Sequence, residues 1–565
     1  MIKSNRGWRV VAVALLILVA IVVAWPAAFV AVHGWNPSGW PADGGMAMPP
    51  QWAALLNHFD VVKIAFAYWK MAIGTSSAFA DGGTVEIKVM ATLTALWCVA
   101  LILGGKSGPL RDPSGVYGKV DWASKSELKR MKAGLELGIN SYTDRPVRVQ
   151  VEGNLVTIAP PRSGKTGGFI IPNLAFPEPN AWSGPAVVVD PKGDAYRAVR
   201  RRRTAMGKTI RCLDPLNHVG GADRWNPLAR VDPNDVLYLQ SMAHALLPQT
   251  AHQTDAGVYF RSRAVDLIVG ALQCCGDDEH ADPVRAARLL SNNDELLKVL
   301  EKKQHSSAVA AREILTMDDR SRDGIISTVR QATQWLLDER LQAIVRDPTF
   351  QLSELASGDV DLFIVLPADD RKKIIAPYIR WLLADLFTSI RQNRPAERII
   401  AFIDEAHVLG RFDAVLDGVG ELPGHGISLW TVWQSRFQMV ETYGENGAEV
   451  LLGTAEVANV FDLPATQPDE LERWSRATGS YTGVKATTTR GGLSGEASTS
   501  SESQERRLVH ASDLPEFFRQ WQLAFVTNRA YTRSPLKLRR TLAYDDPRFQ
   551  GLIDVEPPVG PIQRR

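Results

Sequence analysis

The residues best equipped for chemistry fall in one short run, Ala159–Gly167, reading APPRSGKTG. It follows Leu155, Val156, Thr157 and Ile158, an apolar and β-prone run, and precedes the apolar stretch Phe169, Ile170 and Ile171. A strand, a tight loop and a helix in this order aim backbone N–H groups outward at the positive end of the helix. Such a cradle suits phosphate oxygens. Pro161, Arg162, Ser163, Gly164, Lys165, Thr166 and Gly167 would wrap the α- and β-phosphates of a nucleotide, ATP by default. Lys165 would reach the β- and γ-phosphates as a point charge, and the Thr166 hydroxyl would enter the shell of a Mg²⁺ that keeps several waters. The pattern is GxxxxGK[ST], the Walker A signature, with one departure. Ala159 stands where glycine is expected, and alanine lacks glycine's freedom at positive φ. The loop must start in a conformation alanine tolerates, or the site is weakened. Gly207-Lys208-Thr209 repeats the last three residues without the strand–loop–helix context. The bland reading of the first run is a basic surface turn.

A second group supplies the acids. In Arg398–Gly410, RIIAFIDEAHVLG, an apolar run leads into Asp404 and Glu405. A buried strand ending in two carboxylates at the edge where ligands bind in open α/β sheets is the Walker B pattern. Asp404 would hold Mg²⁺ through its water shell. Glu405 would face the γ-phosphate and orient or deprotonate the attacking water. The pair is a weak signal alone, where it reads as a helix cap, and a strong one beside a Walker A. Ile427–Trp433 reads as a further strand, ended by Gln434 and Ser435. Gln434 there could sense the γ-phosphate; an ordinary strand-end turn fits nearly as well.

The elements that must position these residues read as an α/β nucleotide-binding domain interrupted by helices. Ala186–Asp190 (AVVVD) is a continuous apolar run without alternation, as a buried parallel strand requires, and Thr209–Asp214 (TIRCLD) reads as a third short strand. Residues 235–345 read as helices throughout, an all-helical insertion between the two parts of the domain, 107–234 and 346–545. Val360–Leu366 resumes the strand pattern. Residues 107–150 read as a connector with a helical patch at Ser124–Leu135, Arg200–Arg203 as a solvated surface, and Lys485–Arg507, rich in Ser, Thr and Gly, as a mobile loop. The tail 546–565 reads as loosely held.

At 565 residues the chain is too long for one ordinary domain. A formal net charge of +2 gives no global case for nucleic acid. The four cysteines lack ligand spacing, and Cys274-Cys275 reads as two buried small residues. Val10–Val30 carries no charge and, as a helix, would reach about 32 Å, enough to cross a bilayer. With Val89–Gly105 it predicts two transmembrane helices, about 10–31 and 89–105, in a membrane anchor over residues 1–106. Basic residues outside both spans put both ends inside, leaving an outer loop over 32–88. The rivals are a signal peptide and two buried helices of a soluble domain.

The order of parts resembles the coupling ATPases of type IV secretion and conjugation, allied to ring-forming DNA translocases. The resemblance covers nearly the whole chain. It rests on APPRSGKTGGFIIPNL, VVVDPKGDAY, Leu213–Pro215 (LDP), Arg224–Leu228 (RWNPL), AFIDEAHVLG and VWQS. It implies a P-loop, RecA-like fold in a bacterial inner-membrane protein, a homo-hexamer with nucleotide between neighbours. Its partners would be inner-membrane subunits of the secretion system, membrane lipid, and cargo met by the helical insertion. That cargo would be a relaxase with single-stranded DNA, or effector proteins. The family's trans-acting arginine has no counterpart in Glu421–Gly426; Arg411, Arg436, Arg473 and Arg476 remain open for that role. A DNA translocase outside secretion and a docking platform with a vestigial site are the competing readings.

Overall fold

Apolar runs buried on both faces need cover on both faces, and that requirement organises the chain. The computed structural model describes residues 111–229, 232–247, 254–276, 282–490 and 497–554. Both expected membrane spans, their outer loop and residues 555–565 lie outside the described residues. Within them the strands are β1 (Leu135–Asn140), β2 (Pro146–Val149), β3 (Asn154–Ile158), β4 (Ala186–Pro191), β5 (Thr209–Leu213), β6 (Val360–Leu366), β7 (Ile399–Ile403), β8 (Ile427–Trp433), β9 (Ala455–Val460), β10 (Ser480–Arg490), β11 (Ala497–Arg507), β12 (Gln522–Val526) and β13 (Leu536–Arg539). Eleven form one sheet in the order β2-β1-β13-β12-β9-β3-β8-β7-β4-β6-β5. From β9 to β5 every neighbouring pair is parallel; from β9 to β2 every pair is antiparallel. The strands β3, β6, β7 and β8 are buried along their full length. This is the expected behaviour of central parallel strands with helices on both faces.

Between β5 and β6 the described residues hold helices and no strand: Val236–Leu246, Asp255–Gly276, Pro283–Ser291, Asn293–Glu301, Ser306–Leu315, Asp319–Thr333 and Glu339–Ile344. Side-chain caps start most of them. Asp235, Asp282, Asn292, Asp318 and Asp338 each accept a backbone N–H of the following turn, satisfying donors a helix start leaves orphaned. Asp255–Gly276 is the axis of the group, its buried residues running from Ala264 to Cys275.

Four regions differ from the sequence reading. The stretch 107–150 is not merely a connector: its helix is short, Lys125–Arg130, and Leu135–Asn140 and Pro146–Val149 form the antiparallel rim of the sheet. Residues 485–507 are not a plain loop. β10 and β11 pair antiparallel from Ser480 opposite Arg507 to Arg490 opposite Ala497, and threonine, the β-branched residue among them, favours such a two-stranded ribbon. The arginine run is solvated only in its first half: Arg200 and Arg201 are exposed, whereas Arg202 and Arg203 turn inward. Arg203 is fully buried and grips Asp361 of β6 with two hydrogen bonds of 2.7 and 2.8 Å. Arg202 donates to the Ala175 and Phe176 carbonyls, and Arg201 pairs with Asp554. Four consecutive arginines point in different directions around a helix, so two reach inward and two stay at the surface. Finally, the tail is held as far as Asp554: Phe549 and Ile553 are buried, and the Asp554 N–H donates to the Ala198 carbonyl.

Candidate nucleotide site

The two motifs meet at the C-terminal edge of the parallel strands. β3 delivers the loop Ala159–Lys165, β7 delivers Asp404 and Glu405, and β8 lies between them. Ala159 is buried and outside the left-handed region, and its N–H donates to the Trp433 carbonyl, extending the β3–β8 pairing by one residue. An L side chain is at home in that extended position, so the departure from glycine carries no backbone penalty. The left-handed positions fall instead at Arg162 (φ 60°) and Gly164 (φ 80°). The loop closes on itself: Ser163 Oγ and Lys165 Nζ both donate to the Pro160 carbonyl, at 2.7 and 2.8 Å. Thr166–Ile170 is a wide π turn that leads into Ile171–Ala175.

The Thr166 hydroxyl donates to Asp404 Oδ2 at 2.7 Å across 238 residues of sequence. Asp404 also accepts the Glu405 N–H at 3.1 Å. Burial pushes the Asp404 carboxyl above the ordinary aspartate range; the Thr166 hydrogen bond and the Lys165 charge pull against this, and Glu405 adds to it. Burial likewise lowers Lys165, opposed by Asp404, Glu405 and Asp462. Lysine and acids thus each offset part of the burial that disfavours the other's charge. A third carboxyl stands beside them. Asp190, at the end of β4, is pushed up to about 7 by burial, against the N–H groups of Tyr196 and Ala195 that it accepts at 2.8 and 3.3 Å.

Glu405 sits in the left-handed region at φ 55°. Its Oε2 accepts from Lys372 Nζ at 2.7 Å. Lys372 belongs to the first turn of the long helix Arg371–Gln392, and no spacing in the sequence singled it out. Gln434 follows Trp433 directly at the end of β8, which places its backbone between the two motifs; its N–H donates to Gln438 Oε1. The arginine candidates all have acidic partners within this chain. Arg411 pairs with Asp413, Arg436 with Glu445 and Glu449, Arg473 with Glu449, and Arg476 with Glu472.

The sequence reading also missed the chain's return to the loop. Arg540 donates to the Ser163 carbonyl at 3.1 Å and to Asp462 at 2.5 Å, and the Ala543 N–H donates to the Gly167 carbonyl at 2.9 Å. Contacts 377 residues apart leave no local signal.

A phosphate loop and an acidic strand end on one large, parallel-rich sheet define a P-loop, RecA-like α/β protein. The chain belongs to the family described as Type IV secretory system Conjugative DNA transfer, whose pattern matches residues 130–556; it is a type IV coupling protein by family. Over 398 residues it is 26% identical to the conjugal transfer protein TraG of Escherichia coli, covering 63% of this chain and 60% of that protein. Over 381 residues it is 25% identical to the type IV secretion system-coupling protein VirD4 of Bartonella quintana, covering 63% and 58%. The matches thus span less than two thirds of those relatives. The fold resembles the bacterial conjugative coupling protein TrwBdeltaN70 with a TM-score of 0.59 at 18% identity, over 77% of this chain and 95% of that one. A TrwB structure in complex with ADP and Mg2+ aligns with a TM-score of 0.58 at 17% identity, over 78% and 96%.

Proposed function

We propose that this protein is a coupling ATPase of the bacterial inner membrane that delivers macromolecular cargo to a type IV secretion channel. The observation that carries the reading is the 2.7 Å hydrogen bond from Thr166 to Asp404, which joins the two motifs into one site. Lys165, the loop N–H groups and Gly167 would hold the phosphates of ATP. The donors at Thr166 and Asp404 are a hydroxyl and a carboxylate, and among the described residues no group of three His, Cys, Asp or Glu forms a metal cage. That set suits Mg²⁺, which takes few protein oxygens and relies on phosphate and water for the rest. Bound there, Mg²⁺ would supply charge neutralisation on the β- and γ-phosphates. Glu405 would accept a proton from the attacking water once Lys372 releases it, and Gln434 would contact the γ-phosphate. The ADP and Mg2+ of the TrwB complex support the same ligands here.

In this reading residues 10–31 and 89–105 anchor the chain among inner-membrane lipids and secretion-system subunits. Six copies form a ring, and residues 235–345 meet a relaxase–DNA complex or an effector protein. One arginine among Arg411, Arg436, Arg473 and Arg476 leaves its internal partner to act on a neighbour's nucleotide, so hydrolysis is slow until the ring assembles. The test is Lys165→Ala in the full-length protein, followed by ATP hydrolysis and by cargo transfer in cells. Both are expected to be lost. Transfer that survives undiminished would leave a docking platform and end the motor reading.

A further inference from the structure

The stretch Arg540–Tyr544 is an unusual neighbour for a phosphate loop, because it is pinned at alternate positions. Thr541 and Ala543 are buried, whereas Leu542 is 38% and Tyr544 42% exposed. The buried side is tied down repeatedly. Thr541 Oγ1 donates to Glu136 Oε1 at 2.7 Å, and Ala543 N–H to the Gly167 carbonyl at 2.9 Å. Arg540 holds Ser163 and Asp462 on one side, and Arg548 grips Glu136 on the other at 2.8 and 3.0 Å. Glu136 in turn accepts from Arg148 at 2.9 Å, and its backbone exchanges hydrogen bonds with Asn173, on the helix that follows the loop. Two large side chains, Leu542 and Tyr544, are thus left partly exposed beside the candidate site on a segment tied down at its alternate positions. A Cβ placed on Gly167 would lie 3.4 Å from the Tyr544 ring, and one on Gly164 would lie 3.5 Å from the Leu542 methyl.

The direction of a bound nucleotide follows from the residues already placed. Lys165, Thr166 and Asp404 mark the β- and γ-phosphate end. The α-phosphate then lies toward Gly167, and ribose and base continue beyond it, on the side where Tyr544 packs. A purine base needs an apolar or aromatic face for stacking, and Leu542 and Tyr544 are exposed large apolar side chains in contact with this loop. We propose that Tyr544, supported by Leu542, is the stacking platform for the nucleotide base, so that the C-terminal segment completes the site opened by the loop some 380 residues earlier. This rests on the nucleotide-site reading above and adds the element that receives the base.

Inorganic tripolyphosphate separates the two, because it carries the phosphates without the base. In the full-length protein in detergent, titrations of ATP and of tripolyphosphate are compared for wild type, Tyr544→Ala and Tyr544→Phe. Tyr544→Ala is expected to weaken ATP about tenfold, a typical loss for a base deprived of its aromatic partner. Tripolyphosphate affinity stays at the wild-type value, and Tyr544→Phe restores ATP binding. An ATP affinity unchanged in Tyr544→Ala overturns the proposal. So does an equal loss for ATP and tripolyphosphate, which would mean that the segment acts on loop geometry instead. Wild-type protein that binds neither compound removes the nucleotide site itself and the platform with it.

Discussion

The site has two ends built on different principles. At the end proposed to hold Mg²⁺, Thr166 and Asp404 are bonded directly to each other, and each hangs from a central strand or the helix it feeds. At the end proposed for hydrolysis, Glu405 is held in an ion pair with Lys372, in a backbone conformation that costs a non-glycine residue on the order of 1 kcal/mol. Lys372 lies on the helix Arg371–Gln392, and two turns further along that helix Arg380 is buried. Arg380 donates to the Ala245 and Leu246 carbonyls of the helical insertion and to the Leu409 carbonyl just after the acidic pair. In the proposed roles, the binding groups are held by the sheet and by the returning segment at Arg540 and Ala543, whereas Glu405 is linked to an element that also holds the insertion. Nucleotide capture and nucleotide hydrolysis can be separated in such an arrangement.

The sharpest way to break this comparison is Glu405→Gln. Hydrolysis should fall about 100- to 10,000-fold, the range for loss of a general base, while the ATP dissociation constant changes by less than about twofold. A parallel loss of binding would show that the two ends are one. Asp404→Asn attacks the other end. Mg²⁺-dependent ATP affinity should drop about tenfold to a hundredfold, the range for a lost charge-assisted partner, and affinity measured in EDTA should stay put. Lys372→Gln sharpens the contrast by freeing Glu405. Phosphate release by the full-length protein should rise about threefold, in line with a partly exposed ion pair of under 1 kcal/mol, and Lys372→Arg should restore the original rate. A fall in rate would instead make Lys372 a phosphate ligand.

The smallest effect is on stability. Asp190 has a folded-state value near 7 against an ordinary 3.8. The folded protein therefore holds a proton there that the unfolded chain has already lost between about pH 4 and 7. Stability contributed by this group falls as pH rises through that window and is level above it. Asp190→Asn should flatten that part of the profile, so the melting temperature of wild type relative to the variant declines from pH 5 to pH 7.5. Parallel melting profiles would show Asp190 ionised in the fold.

Much of the parallel half was legible because its chemistry is local. Leu155–Ile158, Ala186–Asp190, Val360–Leu366 and Ile427–Trp433 are short, largely apolar runs without regular alternation, the pattern that suits a strand covered on both faces. The helices of the insertion announced themselves by apolar spacing. The antiparallel rim did not. Leu135–Asn140 contains Glu136, and Pro146–Val149 contains Arg148, so neither segment looks like core. Both charged side chains are nevertheless buried, because Arg148 pairs with Glu136 on the neighbouring strand and with Glu178, and Glu136 also pairs with Arg548 from the far end of the chain. The same applies to Arg203 and Asp361, 158 residues apart. Removing one member of such a buried pair costs about 3 to 5 kcal/mol, so these residues are as much core as any leucine.

What the residues supplied by themselves was a set of candidate reacting groups. Short-range rules of loop, strand and helix act within a few positions, and Lys165, Thr166, Asp404 and Glu405 could be named from that neighbourhood alone. Tertiary structure alone decided what those groups face. The Thr166–Asp404 contact, the Lys372 ion pair on Glu405 and the return of Arg540–Tyr544 to the loop all join segments far apart in sequence. A hydrogen bond acts over about 3 Å, and only folding brings groups that distant within its reach.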